Sequence, residues 1–185
     1  MSDQENVHLC PAQKRAFDSL LAGVQVGSIL RVWGGTGRGK TTVLRELHKQ
    51  AGGGFLNMKE FVEASATRHP LALEETLYRL IMDALNAHSL VIVDDVHLLD
   101  LFSAGCHFYP RGGYFNSIMM GLCTYALESK KKLVFGTKEQ LAEAADQRSY
   151  SFGIDKFKPE DYAALVETFR GASVKRVVLD EQIGG

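Results

Sequence analysis

A glycine-rich stretch near the start of the chain has the residue types and spacing of a phosphate-binding loop. It consists of Gly34, Gly35, Thr36, Gly37, Arg38, Gly39, Lys40, Thr41 and Thr42. This stretch matches the pattern G-x-x-x-x-G-K-[ST], in which glycines let the backbone point several N–H groups into one concavity. The start of a following helix adds partial positive charge at the same point. We expect Lys40 to reach the β- and γ-phosphates of a nucleotide and the Thr41 hydroxyl to bind Mg²⁺.

Two adjacent carboxylates, Asp94 and Asp95, follow the continuous apolar run Leu90–Val93. Such a run is typical of a strand that is buried on both faces of a parallel sheet. Ligands bind at the carboxyl ends of parallel strands, and the glycine-rich stretch also follows a predicted strand, Ile29–Trp33. We therefore expect Asp94 to hold Mg²⁺, directly or through water, and Asp95 to polarise an attacking water as general base. The simpler alternative is that the pair caps a turn.

Strand and helix patterns alternate along the chain and would position both groups. The predicted strands are Ile29–Trp33, Phe55–Met58, Leu90–Val93, Leu133–Phe135 and Ser149–Ile154. The predicted helices are Pro11–Ala22, Val43–Gln50, Lys59–Ala66, Leu73–His88, Asn116–Glu128, Glu139–Ala145 and Pro159–Arg170. Gly23–Gly27 is predicted to be a turn, and residues 100–115, which mix aromatic residues with glycine and proline, to be irregular. The alternation predicts an α/β fold with three α-β-α layers around a five-stranded parallel sheet.

The bulk composition fits a globular domain and excludes several other classes. The 185 residues are 45% hydrophobic and 23% charged, which is ordinary for such a domain. The net charge of −1 gives no case for a broad nucleic-acid or membrane surface, and no apolar run is long enough to span a membrane. Three widely spaced cysteines (Cys10, Cys106 and Cys123) indicate reduced thiols, which predicts a cytoplasmic location. Cys106 and His107 with His97 are a weak metal-site candidate because no C-x-x-C spacing supports them.

The two groups of residues and their spacing resemble those of the AAA+ ATPases, and in particular the AAA-type ATPase domain, over roughly residues 10–170. Gly34–Thr41 corresponds to the Walker A motif and Leu90–Asp95 to Walker B, and 54 positions separate Lys40 from Asp94. The resemblance implies a P-loop NTPase fold, with ATP as ligand and Mg²⁺ as cofactor. It further implies ATP hydrolysis coupled to remodelling of a protein partner by a ring-shaped homo-oligomer.

The resemblance also implies roles for two residues that lie further along the chain. Thr137, in Gly136-Thr137-Lys138, stands where the family carries the polar sensor 1 residue. Lys138 matches equally well if the register shifts by one position. Arg148 stands where the family keeps an arginine finger that stabilises transition-state charge in a neighbouring subunit. The simpler alternatives are a turn hydroxyl at Thr137 and a solvated surface arginine at Arg148.

Departures from the family pattern leave other functions open. Asp95 stands where the family usually has Glu, so a shorter base could make turnover slow, as in a nucleotide switch or adaptor. The Asp94-Asp95 pair also resembles replication-initiator relatives and STAND-like signalling NTPases, although the latter have a shorter gap than the 43 positions from Asp94 to Thr137. A DNA initiator or loader is therefore a further alternative, which the net charge does not favour. A small-molecule phosphotransferase would make the matches at Thr137 and Arg148 coincidental.

The resemblance also suggests how the chain is divided. Residues 1–10 are expected to be a flexible N-terminus, residues 11–172 the nucleotide-binding core, and residues 173–185 the start of a helical lid. The family's module normally continues into a complete lid. We therefore expect the chain to be the core of a longer protein.

Overall fold

Five parallel strands form one sheet in the order β2-β3-β4-β1-β5. The computed structural model describes residues 8–69, 72–96, 112–138 and 141–170. Its strands are β1 (Ile29–Trp33), β2 (Gly54–Leu56), β3 (Leu90–Val93), β4 (Lys132–Thr137) and β5 (Tyr150–Gly153). Its helices are α1 (Pro11–Val26), α2 (Lys40–Ala51), α3 (Met58–Ala66), α4 (Leu73–Ala87), α5 (Gly112–Glu128), α6 (Glu143–Asp146) and α7 (residues 159–170).

The helices cover both faces of the sheet, so the predicted three-layer α/β fold is confirmed. Alternate residues of each central strand point to opposite faces, as the two-residue period of a strand requires. Val91 and Val93 pack with the helices α3, α4, α5 and α6 on one face. Leu90 and Ile92 pack with α1 and α2 on the other face, where Leu44 is fully buried. The continuous apolar run of β3 follows from this burial on both sides.

The parallel arrangement brings the carboxyl ends of β1, β3 and β4 to one edge of the sheet. Ile29 pairs with Leu133 and Trp33 with Thr137 between β1 and β4. Leu90 pairs with Lys132 between β3 and β4. Because the three strands run in the same direction and in register, the segments that follow them emerge side by side.

Several predicted element boundaries were wrong, and tertiary packing explains the clearest case. Helix α1 does not end near Ala22 but continues through Gly23 to Val26. Gly23 faces β5, where an added Cβ would lie only 2.3 Å from the ring of Phe152. The glycine therefore lets the helix lie close to the sheet, and it is not part of a turn.

Other boundaries shifted at the ends of strands and helices. Strand β2 ends at Leu56 because the Asn57 side chain accepts from the backbone N–H of Lys59 (2.7 Å) and caps α3. Helix α5 begins at Gly112, inside the segment predicted to be irregular, and α6 is confined to Glu143–Asp146. Strand β4 extends to Thr137, two residues beyond its predicted end.

Several predictions concern residues outside the described ranges. They are the flexible start at residues 1–7, most of the aromatic segment from Phe102 to Phe115, the weak metal candidate at His97, Cys106 and His107, and the beginning of a lid at residues 173–185. Within the described ranges, no group of three or more His, Cys, Asp or Glu side chains is placed to hold a metal. No helix in those same ranges is long and apolar enough to cross a membrane.

Candidate functional site

The glycine-rich stretch forms the turn between β1 and α2. Gly37 and Gly39 have positive φ angles of 80° and 74°, a conformation that residues with a Cβ rarely adopt. Gly39 is also the N-cap of α2, so the first helical residue is Lys40. Lys40 is 8% exposed, and its Nζ donates a hydrogen bond of 3.0 Å to the carbonyl oxygen of Gly34, at the other end of the loop. The loop thus curls around the lysine at the amino end of a helix, the arrangement that favours phosphate.

Arg38 links this loop to the end of β5. Its Nη1 donates to the carbonyl oxygen of Ile154 at 3.0 Å. Its guanidinium also lies against Gly35, where an added Cβ would be 3.3 Å from Nε. Arg38 therefore connects the loop to the residue that follows β5. The motif pattern alone does not assign this role.

The buried carboxylate of Asp94 lies at the end of β3 and contacts the first turn of α2. Asp94 is 3% exposed, and its backbone N–H donates to the Leu56 carbonyl at 2.9 Å. The pKa of Asp94 is raised by burial and, less strongly, by the charge of Asp95, while a hydrogen bond with the Thr41 side chain opposes the rise. The two residues predicted to bind Mg²⁺ are therefore direct neighbours.

Asp95 adopts an unusual backbone conformation beside Asp94. Its φ angle is +57°, in the left-handed region that costs an L-residue roughly 1–2 kcal/mol and that Asp tolerates better than most. Its N–H donates to Oδ1 of Asp94 at 2.9 Å, and the next residue, Val96, donates from its N–H to the Gly136 carbonyl at 3.1 Å. Strain of this kind is concentrated at functional sites, which makes Asp95 a candidate for more than a turn.

Electrostatics tie the lysine to both carboxylates. Burial lowers the pKa of Lys40, and the charges of Asp95 and Asp94 oppose that fall. Lys138 and Arg38 add to the lowering because they are like charges nearby. The loop, the carboxylate pair and the residue after β4 therefore lie within electrostatic reach of one another.

Gly136 is a site residue to which the sequence reasoning gave no role. It lies in β4 directly beside Asp94, and a Cβ added to it would be 2.5 Å from Oδ1 of Asp94 and 2.6 Å from a methyl carbon of Leu44. The missing side chain is what gives the carboxylate room between β3, β4 and α2. Gly136 follows the predicted strand Leu133–Phe135, so it became a glycine inside a strand, which often marks a close approach of another group, only when the structure extended β4 to Thr137.

Thr137 and Lys138, the two sensor 1 candidates, differ in burial. Thr137 is the last residue of β4 and is fully buried. Lys138 follows the strand and is exposed. Both stand at the carboxyl edge of the sheet, where the loop and the carboxylates also lie.

Arg148 is not brought together with the other predicted site residues. It lies just before β5, at the amino-terminal edge of the sheet, and is exposed. Its Nη1 donates to the carbonyl oxygen of Ala144 at 2.9 Å. Within one chain, Arg148 therefore lies at the opposite edge of the sheet from the phosphate loop.

Comparison with solved structures identifies the fold. The "Replication initiator DnaA bound to AMPPCP and single-stranded DNA" aligns with a TM-score of 0.54 and 12% identity, over 87% of this chain and 51% of that chain. A structure described as a "DNA replication initiation factor" aligns with a TM-score of 0.52 and 14% identity, over 82% of this chain and 49% of that one. A Pif1 helicase from Candida albicans aligns more weakly, with a TM-score of 0.44 and 11% identity, over 82% of this chain and 41% of that chain.

The two alignments with TM-scores above 0.5 and the five-stranded parallel sheet show a P-loop NTPase fold. No family model matches the sequence. No curated protein matches it significantly either. The chain spans about half the length of the two initiator structures to which it is similar.

Proposed function

We propose that this domain binds ATP with Mg²⁺ and hydrolyses it. The observation that carries the proposal is the position of the buried Asp94 carboxylate beside the Thr41 side chain and within electrostatic reach of Lys40, at the end of the glycine loop. A hydroxyl and a carboxylate are hard oxygen ligands, the set that Mg²⁺ prefers at nucleotide sites. A buried carboxylate and a buried lysine beside a glycine loop are costly to stability, and such clusters of ionisable groups are concentrated at functional sites.

Each group has a definite task in this proposal. The backbone N–H groups of the loop and Lys40 bind the phosphates, and Thr41 with Asp94 holds the metal, which would neutralise charge on the β- and γ-phosphate oxygens. Asp95 orients and polarises the attacking water as general base. Thr137, at the same edge, is the proposed sensor of the γ-phosphate. The half-buried position of Asp95 leaves it access to a water molecule.

Arg148 would act in a neighbouring subunit. Its place at the opposite edge of its own sheet is compatible with a finger that completes the site of an adjacent copy. This requires a homo-oligomer, such as a ring. An equimolar mixture of Arg148→Ala and Lys40→Ala subunits, each inactive alone, should then recover part of the activity, because some interfaces combine an intact loop with an intact finger.

The output of the ATPase cycle is the part of the proposal with two alternatives. Remodelling of a protein partner is the function that the AAA resemblance implies, in the cytoplasm if the reduced thiols indicate the compartment. A DNA initiator or loader is an equal alternative, because one of the similar solved structures is an initiator bound to single-stranded DNA. Binding of a labelled single-stranded oligonucleotide that weakens steeply with salt would favour the DNA function.

A steady-state ATPase assay on three proteins tests the central proposal. Wild type should hydrolyse ATP only with Mg²⁺, Lys40→Ala should lose ATP binding, and Asp95→Asn should keep binding but lose turnover by about 10²-fold or more. Asn is a suitable replacement at this position because it also tolerates the left-handed backbone of Asp95, so the variant removes the charge without disturbing the turn.

Two other outcomes would change the conclusion. Tight ATP binding without turnover in the wild type would favour the slow switch or adaptor, since the shorter Asp95 would then not reach the water. Equal ATP binding by wild type and Lys40→Ala would overturn the proposal as a whole.

A further inference from the structure

Gln13, on the first turn of α1, is a buried amide that contacts the phosphate loop. It is 4% exposed, and it lies 25 positions before its loop partner Arg38 in the sequence. Its Nε2 donates to the carbonyl oxygen of Arg38 at 3.1 Å. Its Oε1 accepts from the backbone N–H of Cys10, also at 3.1 Å. The two partners, one acceptor and one donor, fix which way the carboxamide faces.

The loop and the amide fit together closely at Gly39. A Cβ added to Gly39 would lie 2.2 Å from Nε2 of Gln13. The positive φ angle of Gly39 is therefore accompanied by a second reason for glycine, which is room for the glutamine side chain. The amide packs against the Arg38–Gly39 peptide, the last peptide of the loop before Lys40 opens α2.

Helix capping alone does not explain this side chain. Cys10 is the N-cap of α1, and Gln13 at the third helical position completes a capping box through Oε1. That role uses only one end of the amide. The start of α1 has a second anchor as well, because the N–H of Ala12 donates to Oδ1 of Asp161 at 2.7 Å. Neither the capping box nor the hydrogen bond to Asp161 requires the contact between Nε2 of Gln13 and the loop.

We propose that Gln13 is a positioning residue for nucleotide binding, one that holds the Arg38–Gly39 peptide in its phosphate-binding orientation. A peptide group is planar and trans, so its C=O and N–H point in opposite directions. A hydrogen bond that holds the Arg38 carbonyl toward α1 therefore turns the Gly39 N–H away from α1, and in this proposal that is the side on which the phosphates bind. This role rests on the proposed function, since it presupposes that the loop binds a nucleotide.

Two substitutions separate the loop contact from the helix cap. Gln13→Met has a similar length but removes both hydrogen bonds. Gln13→Glu keeps an acceptor for the Cys10 N–H but cannot donate to Arg38 at neutral pH. Both variants should weaken ATP binding about 10-fold in calorimetric titration with MgATP, while kcat at saturating ATP stays within about 2-fold of wild type. The added charge in Gln13→Glu would act through space and fade with salt, whereas the lost hydrogen bond would persist.

A matched control variant should lower the stability of α1 while leaving the contact between Gln13 and the loop in place. Ala16 is buried on the same helix, and Ala16→Gly destabilises α1 because glycine has a lower helix propensity than alanine. It should lower the melting temperature while ATP affinity stays at the wild-type value. Amide hydrogen exchange without nucleotide provides a second readout, in which peptides covering residues 34–42 should exchange faster in Gln13→Met but not in Ala16→Gly.

The outcomes distinguish this role from the proposed function. Weaker ATP binding in both Gln13 variants, with a faster-exchanging loop in Gln13→Met, supports the positioning role. Wild-type affinity and an unchanged loop in Gln13→Met, beside normal binding by the wild type, overturn it and leave Gln13 as a helix cap. A wild-type protein that binds no ATP overturns the proposed function and, with it, this role.

Discussion

The side chain of Thr41 lies beside the carboxylate of Asp94 and opposes the rise of its pKa, although 53 positions separate the two residues. Thr41 belongs to the first turn of α2 and Asp94 to the end of β3. This contact joins the glycine loop to the carboxylate pair, and the interaction offsets part of the cost of burying Asp94. Three consequences of this arrangement can be measured at residues on either side of it.

Replacing Thr41 should separate metal dependence from nucleotide binding. Thr41→Ala removes the hydroxyl from both Asp94 and the proposed metal position, so we expect ATPase activity to fall by about 10²-fold or more. Thr41→Ser keeps the hydroxyl and should retain most of the activity. The measurement is ATPase rate against Mg²⁺ concentration, and full Mg²⁺-dependent activity in Thr41→Ala would show that the hydroxyl is not a metal ligand.

Neutralising Asp94 should stabilise the fold while abolishing activity. The carboxylate is 3% exposed and lies beside the like charge of Asp95, which is unfavourable without a metal. Asp94→Asn keeps an oxygen that can accept from the Asp95 N–H, so we expect the free energy of unfolding to rise by about 1 kcal/mol in metal-free buffer. Urea denaturation measures this change. A less stable Asp94→Asn variant would mean that Thr41 and Lys40 already compensate the charge.

Adding a methyl group at Gly136 should displace Asp94. The new Cβ would lie 2.5 Å from Oδ1 of Asp94 and 2.6 Å from Leu44, so we expect Gly136→Ala to destabilise the protein by about 1–3 kcal/mol and to reduce ATPase activity. Gly121, in the middle of α5, is the matched control because an added Cβ there meets nothing within 4 Å. Gly121→Ala should be neutral or stabilising by up to about 1 kcal/mol. Similar effects of the two substitutions would argue against crowding at Gly136.

Acid stability should depend on Asp161 in α7, whose side chain is fully buried. The backbone N–H of Lys158 donates to Oδ2 at 2.8 Å and is the main cause of a pKa below the ordinary value of 3.8. A lowered carboxyl pKa stabilises the folded state above pH 3.8, and this contribution is lost as the pH falls through the folded value. Asp161→Asn should therefore flatten the decrease in unfolding free energy between pH 5 and about pH 2.

The test of that prediction is urea denaturation at several pH values. At neutral pH, Asp161→Asn should cost roughly 1–3 kcal/mol because one of its two backbone donors loses its acceptor. Asp155, on the surface nearby, provides a control, since its contact with Arg15 is 3.7 Å long and both side chains are more than half exposed. An Asp155→Asn variant should show nearly the wild-type pH profile.

Local patterns predicted most of the fold. Strands β1 and β3 were placed correctly because each is a short apolar run followed by residues of a different type, the glycine loop and Asp94-Asp95. The parallel five-stranded sheet followed from the alternation of strands and helices. Periodicity failed where the deciding contact was distant, as at Gly23, which continues a helix because Phe152 lies against it.

The contacts within the candidate site were harder to predict from the sequence. The motifs placed the loop and the carboxylates at one sheet edge, but they gave no role to Gln13 or Gly136. Both roles depend on contacts between segments that are far apart in the chain, such as the bond from Gln13 to Arg38. A glutamine at the third position of a helix has a sufficient local explanation as a cap, so nothing in the pattern points beyond it.

Strand β4 sets the width of the candidate site. It lies between β1, which leads into the phosphate loop, and β3, which ends at Asp94. Neighbouring strands are about 4.8 Å apart, so the two strand ends are held roughly 10 Å from each other by backbone hydrogen bonds alone. Substitutions in the flanking loops therefore leave the distance between the ends of β1 and β3 unchanged. The side chains of the site can be redesigned without altering this distance, because no single residue controls it.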